Sequence, residues 1–137
     1  MDERLQFANG LLGTLDMEVQ SATSAEVVIE WLASAKHHQP MGIVHGGVYC
    51  SAIETACSIG ATLSARERDP QMAAVGLENH TSFIRAVREG KLRAVARPIT
   101  RGRRTQVWQA EIKDEQDRVV ATGQVRLLCV PRDGQIG

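Results

Sequence analysis

Net charge is absent from this chain of 137 residues: sixteen acidic side chains cancel sixteen basic ones. A general nucleic-acid binder carries a basic excess, so that class is set aside and only local basic patches stay open. Cysteine is sparse and poorly spaced for pairing. Cys50, Cys57 and Cys129 are odd in number, form no CxxC pair and sit in apolar company; they read as reduced core thiols of a cytoplasmic protein. A secretion signal is missing too, since MDERLQFANG is polar and lacks an apolar centre. Residues 46–65 have the length of a membrane span, but Glu54, several Ser and Thr, and three Gly make the stretch too polar for one. The chain has no repeat, linker or low-complexity tract. It is read as one domain over residues 1–137, with 1–9 as a short helix or arm and 131–137 as a tail.

Two kinds of chemistry are also lacking. No GxSxG elbow or Cys–His arrangement supplies a nucleophile. His37, His38 and His45 have no acidic or Cys partner at metal spacing, so they read as a solvated loop and no metal is expected.

What is present is a change of period along the chain. Residues 11–20 form a weak strand pattern and 24–33 a better one, in which Val27, Ile29 and Trp31 alternate with Val28, Glu30 and Leu32. Pro40 and Gly42 break the loop that follows. Residues 47–65 are Ala-rich and apolar nearly all round, which predicts a helix buried on most sides. Charges from Arg66 to Asp69 and Pro70 are expected to end it. Strand patterns then cover 73–87, 91–100, 106–113 and 119–130, with turn-length breaks that predict consecutive hairpins. The result is an α+β architecture with one helix against a single antiparallel sheet of about six strands. Its outer face meets solvent or another subunit, and Trp31 and Trp108 suggest that part of it is covered.

One residue is out of keeping with the helix. GGVYCSAIETACSIGATLSA carries a single charge, Glu54, and a carboxylate in apolar surroundings is costly to desolvate. Either it is a paired structural residue or it works in a site.

The segment from Gln39 through His45-Gly46-Gly47 to Glu54 and Ser58 resembles the hotdog-fold acyl-CoA thioesterases. It is similar to the branch that includes aryl-CoA thioesterases of the phenylacetate and hydroxybenzoate type. The resemblance continues through Val75-Gly76-Leu77-Glu78, Arg85, Arg88-Glu89-Gly90 and Arg101 to Trp108, about residues 10–130 in all. It implies the hotdog fold, a long central helix wrapped by an antiparallel sheet. It also implies that the Gly46 amide polarises the thioester carbonyl, as a helix N-terminus can. By the same resemblance Glu54 attacks the carbonyl or activates water, Gln39 binds the thioester oxygen, and His45 positions the group. Ser58, one turn beyond Glu54, orients the carboxylate or a water. Gly47, Phe83 and Arg85 are expected at the substrate, and Arg103, Arg104 and Thr105 near the phosphates of coenzyme A. The arginine turn also reads as a plain solvated hairpin. Phe83 stands where some aryl-specific relatives carry His, which favours an apolar or aromatic acyl group over a hydroxylated one.

Spacing adds a deduction of its own. Gly46 and Glu54 are eight residues apart, about 12 Å on one helix, whereas a nucleophile must lie about 3–3.5 Å from the carbonyl carbon. If both are catalytic, Gly46 of one subunit must work with Glu54 of another. The expectation is therefore a homo-oligomer with its site shared across a dimer, in the family usually a dimer of dimers. It acts on acyl-CoA without metal or redox cofactor, and with no nucleic-acid or membrane partner. A non-catalytic acyl-CoA-binding sensor is the rival reading, and a hydratase lacks the His–Asp pattern it would need.

Overall fold

The computed structural model describes residues 9–133; the arm expected over residues 1–9 lies almost wholly outside them, as does most of the tail. Helix α1 (Leu11–Thr14) leads into β1 (Glu18–Ala22) and β2 (Val27–Ala33). A single 3-10 turn, Ala35–His37, then precedes the long helix α2 (Gly46–Arg68). Four strands complete the chain: β3 (Met72–Phe83), β4 (Gly90–Arg101), β5 (Thr105–Lys113) and β6 (Val119–Pro131). All pairings are antiparallel in one six-stranded sheet of order β1-β2-β4-β5-β6-β3. The α+β hotdog architecture is the one expected.

Several boundaries differ from the sequence reading. Leu11–Thr14 is helical, not extended, and Leu12 plugs into the core. Arg66 and Arg68 extend α2 and do not end it; cations suit the negative end of a helix dipole. The largest difference concerns β3. It makes no hairpin with β4 but pairs with β6. Beyond Phe83 the chain leaves the sheet edge, where the Ile84 and Arg85 amides both donate to the Val120 carbonyl, and the Val87 carbonyl receives the Val44 amide. These bonds carry residues 84–89 across the head of α2 to a new strand beside β2. Turn-length breaks cannot reveal such a crossing.

The core lies between α2 and the concave face of the sheet. Ala52, Ile53, Ala56, Cys57, Gly60 and Ala61 of α2 meet Ile29, Trp31, Leu92, Trp108, Ile112, Val125 and Leu127. Burying a branched aliphatic side chain contributes about 1.5–3 kcal/mol. Trp31 and Trp108 point inward, 3% and 0% exposed, so neither lies on the outer face as expected. That face is charged instead: Arg97 pairs with Glu26 at 2.6 Å, and Lys91 and Arg93 flank Glu30 at 3.7 Å.

Strand β3 contains the irregularity that matters most for α2. Gly76 pairs with Leu127 and Glu78 with Arg126, which leaves Leu77 as an extra residue in a bulge. A bulge reverses which side chains face inward. Ala74 and Gly76 face α2 before it; Asn79, Thr81 and Phe83 face α2 after it.

Candidate active site

The head of α2 is shaped by the loop before it. The Gln39 amide donates to the Ile43 carbonyl at 2.8 Å, and the Gly42 amide to the Gln39 carbonyl at 2.9 Å, with Gly42 at φ 79°. Gln39 Oε1 accepts the Met41 amide, which leaves the Nε2 hydrogens of Gln39 to donate elsewhere. His37, expected in a solvated loop, is buried. Its Nδ1 accepts the Ser34 amide at 3.0 Å, so Nε2 carries the proton and donates to the Leu15 carbonyl at 2.7 Å. His37 thus pins the loop to α1, and His38 reaches the Arg88 carbonyl at 2.6 Å.

His45 caps α2. Its Nδ1 accepts the Gly47 amide at 2.7 Å, so the ring is exposed with its proton on Nε2. The Gly47 amide is therefore occupied. The Gly46 amide has no acceptor among the described residues and stands at the positive end of a 23-residue helix. Of the two glycines, Gly46 is the free donor.

Phe83 reaches the same place from the end of β3. A Cβ on Gly46 would come within 2.4 Å of its ring, so only glycine permits this packing. The Phe83 ring lies 6.2 Å from that of Tyr49, between centroids. Gln39, Gly46, Tyr49, Phe83 and Arg85 border one cavity of about 230 Å³. Tyr49 is 2% exposed, its hydroxyl has no partner among the described residues, and burial pushes its phenol up to about 12. Nothing in the motif singled out Tyr49. The signal available was a lone tyrosine on the helix face that follows Gly46.

Glu54 belongs to a different neighbourhood. It is exposed, which corrects the expectation of a desolvated carboxylate: the sheet covers the other sides of α2 and leaves Glu54 on the open one. The Glu54 carboxylate packs against Gly76, where a Cβ would lie 3.4 Å from its Cδ. Asn79 Nδ2 donates to the Cys50 carbonyl at 3.0 Å and approaches Glu54 Oε1 at 3.5 Å. Cys57, three residues on, is fully buried, and burial together with the Glu54 charge pushes its thiol up to about 12. Ser58 is half-buried on the Glu54 side of α2, and its hydroxyl has no partner among the described residues.

The chain thus gathers Gln39, Gly46, Phe83 and Arg85, and keeps Glu54 and Ser58 apart from them. Arg103, Arg104 and Thr105 are exposed at the β4–β5 turn. Arg103 shares a depression of about 470 Å³ with Ser64, Arg68 and Gln106, at the far end of α2. Ser64 is eighteen residues from Gly46, about 27 Å along the helix. A depression of about 500 Å³ between Arg88, Lys91, Glu115 and Arg118 is lined by none of these groups.

Residues 41–121 match the model of the thioesterase superfamily. The chain belongs to that family. Over 89 residues it is 45% identical to a Mycobacterium tuberculosis protein named as an esterase, covering 65% of this chain and 64% of that protein, somewhat less than two thirds of its length. Its solved structure superposes with a TM-score of 0.84 at 35% identity over 88% of this chain and 95% of that one. A 1,4-dihydroxy-2-naphthoyl-CoA hydrolase of Listeria monocytogenes is 34% identical over 90% of this chain and 91% of its own. A thioesterase of Staphylococcus aureus, solved as a glutamine-to-alanine variant, has a TM-score of 0.81 at 31% identity, over 88% and 98% of the chains. A second variant of that protein replaces a glutamate fifteen residues further on, the spacing of Gln39 and Glu54. No helix among the described residues is long and apolar enough to cross a membrane.

Proposed function

We propose that the chain hydrolyses an acyl-CoA thioester in a site completed by a second copy of itself. The observation that carries this reading is the pair of open groups on α2, a free amide at Gly46 and an exposed carboxylate at Glu54, about 12 Å apart. One thioester cannot touch both in one chain. In an antiparallel pair of α2 helices, Gly46 of one copy faces Glu54 of the other. The twelve-residue edge strand β3 supports such a pair, since its outer side is unpaired among the described residues and long free edges attract a partner strand.

In this scheme the Gly46 N–H and Gln39 Nε2 hold the developing oxyanion. Glu54 of the partner copy attacks the carbonyl carbon directly, or takes a proton from a water that attacks it. The C–S bond breaks, and coenzyme A leaves as a thiolate that takes up a proton; after direct attack, water then cleaves the acyl–Glu54 anhydride, releasing the carboxylic acid and restoring the carboxylate. A thiolate leaves readily, so the scheme needs no metal or redox cofactor. The cavity of about 230 Å³ between Phe83, Tyr49 and Gly46 favours a small aryl or acyl group; a cavity of about 150 Å³ already holds benzene. In this reading the coenzyme A phosphates meet the arginine turn of a neighbouring copy, as in a dimer of dimers; the distance of Arg103, Arg104 and Thr105 from Gly46 supports it.

Mixing two inactive variants tests the shared site. Glu54→Gln and Gly46→Val should each lose at least about a thousandfold in turnover. Co-refolded one to one, they should recover about a quarter of wild-type activity, because half the dimers then hold one intact site. Turnover by Glu54→Gln alone, or no recovery on mixing, sinks the proposal.

A further inference from the structure

We propose that Asn79 is the positioning residue for Glu54, held by Thr81 and brought into place by the bulge at Leu77. This rests on Glu54 being the reacting carboxylate, as proposed above.

The side-chain amide of Asn79 has a fixed direction. Thr81 Oγ1 donates to Asn79 Oδ1 at 2.6 Å, so the oxygen faces Thr81 and the nitrogen faces α2. From there Nδ2 donates one hydrogen to the Cys50 carbonyl at 3.0 Å and turns toward Glu54 Oε1 at 3.5 Å. A reversed amide would set Oδ1 against a carbonyl and a carboxylate oxygen, which repel it. Cys50 is four residues before Glu54, so both acceptors lie on one helix face. The bond to Cys50 anchors the amide, and the longer approach to Glu54 is the adjustable one.

Gly76 bounds the carboxylate on another side, its Cβ direction ending 3.4 Å from Oε2. In a regular strand, residues 76 and 79 face opposite sides of the sheet. They flank one carboxylate here only because Leu77 is bulged between them. The bulge therefore has a use: it lets one strand supply both the clearance and the donor. With Oε1 held by Asn79, Oε2 is left for the reaction. A tether that limits the carboxylate's rotation lowers the barrier to reaction without binding substrate.

A purely structural role, tying β3 to α2 through Cys50, makes different predictions. Asn79→Ala should lower kcat about tenfold with KM changed less than about twofold. Thr81→Val, which frees the amide to turn, should give a smaller loss of the same kind, and Thr81→Ser should restore it. In a Glu54→Asp background the shortened carboxylate is beyond reach of Asn79, so Asn79→Ala should cost less than about twofold more. Wild-type kcat in Asn79→Ala, or an undiminished loss beside Glu54→Asp, overturns the positioning role while leaving Glu54 catalytic. Turnover in Glu54→Gln overturns instead the reading on which it rests. Should Asn79→Ala fail to fold, the Thr81→Val and Thr81→Ser pair decides the matter alone.

Discussion

The two halves of α2 use the same device for opposite ends. In the first half Gly46 accepts the ring of Phe83, and in the second Gly60 accepts the ring of Trp108; at either glycine a Cβ would come within 2.4 Å of the ring. Phe83 is 58% exposed and borders a cavity, whereas Trp108 is fully buried and has its Nε1 fixed to Gln106 Oε1 at 2.8 Å. Gln106 is in turn held to the Ala61 carbonyl at 3.0 Å. A ring that can swing away makes a pocket wall, and one locked by hydrogen bonds makes core. The open half carries Gly46 and Glu54; the closed half locks its ring into the core.

Alanine at the two glycines separates these roles most sharply. Gly60→Ala should destabilise the fold by about 1–3 kcal/mol, because Trp108 has nowhere to go, and leave kcat per folded molecule unchanged. Gly46→Ala should cost under about 1 kcal/mol, helix propensity offsetting the displaced ring, while activity falls. Urea unfolding beside thioester assays checks both, and equal stability losses would erase the distinction. A smaller effect is expected at the closed end's surface. Replacing Arg103 and Arg104 together by Ala should raise KM for coenzyme A esters about tenfold, with little change for pantetheine esters that lack the nucleotide phosphates. Equal changes for both would return the turn to an ordinary solvated hairpin.

The smallest effect is on alkaline stability, to which Tyr49 of the open half and Cys57 at the middle of α2 contribute. Cys57 and Tyr49 are both pushed up to about 12 by burial, so the unfolded chain gives up these protons more readily than the folded one. Their contribution is complete below about pH 9 and falls as pH rises toward about 12. Tyr49→Phe and Cys57→Ala should each flatten the decline of the urea midpoint over that range, and an unchanged slope would show that neither group governs it.

Much of the fold was legible because its signals are local. An apolar, Ala-rich run of helix length, followed by strand patterns, identifies α2 and most of the sheet. The pairing of β3 with β6 was not legible, because it depends on backbone bonds from Ile84 and Arg85 to Val120, far away in sequence. The site divides the same way. Gln39, His45 and Gly46 stand out through the resemblance to a family motif, and Glu54 also as the lone charge of an apolar run, whereas Asn79, Tyr49 and Gly76 gain meaning only from what they touch.

By itself the sequence determined the helix, the strand-rich remainder, and the eight-residue interval that stops Gly46 and Glu54 sharing a substrate within one chain. Those follow from helical rise and hydrophobic period, which are properties of consecutive residues. Only the tertiary structure decided that Glu54 is exposed, that the tryptophans point inward, that His45 occupies the Gly47 amide and leaves that of Gly46 free, and that a bulge turns Asn79 toward the carboxylate. Burial and hydrogen-bond direction depend on groups brought together from distant segments, and no local pattern encodes them.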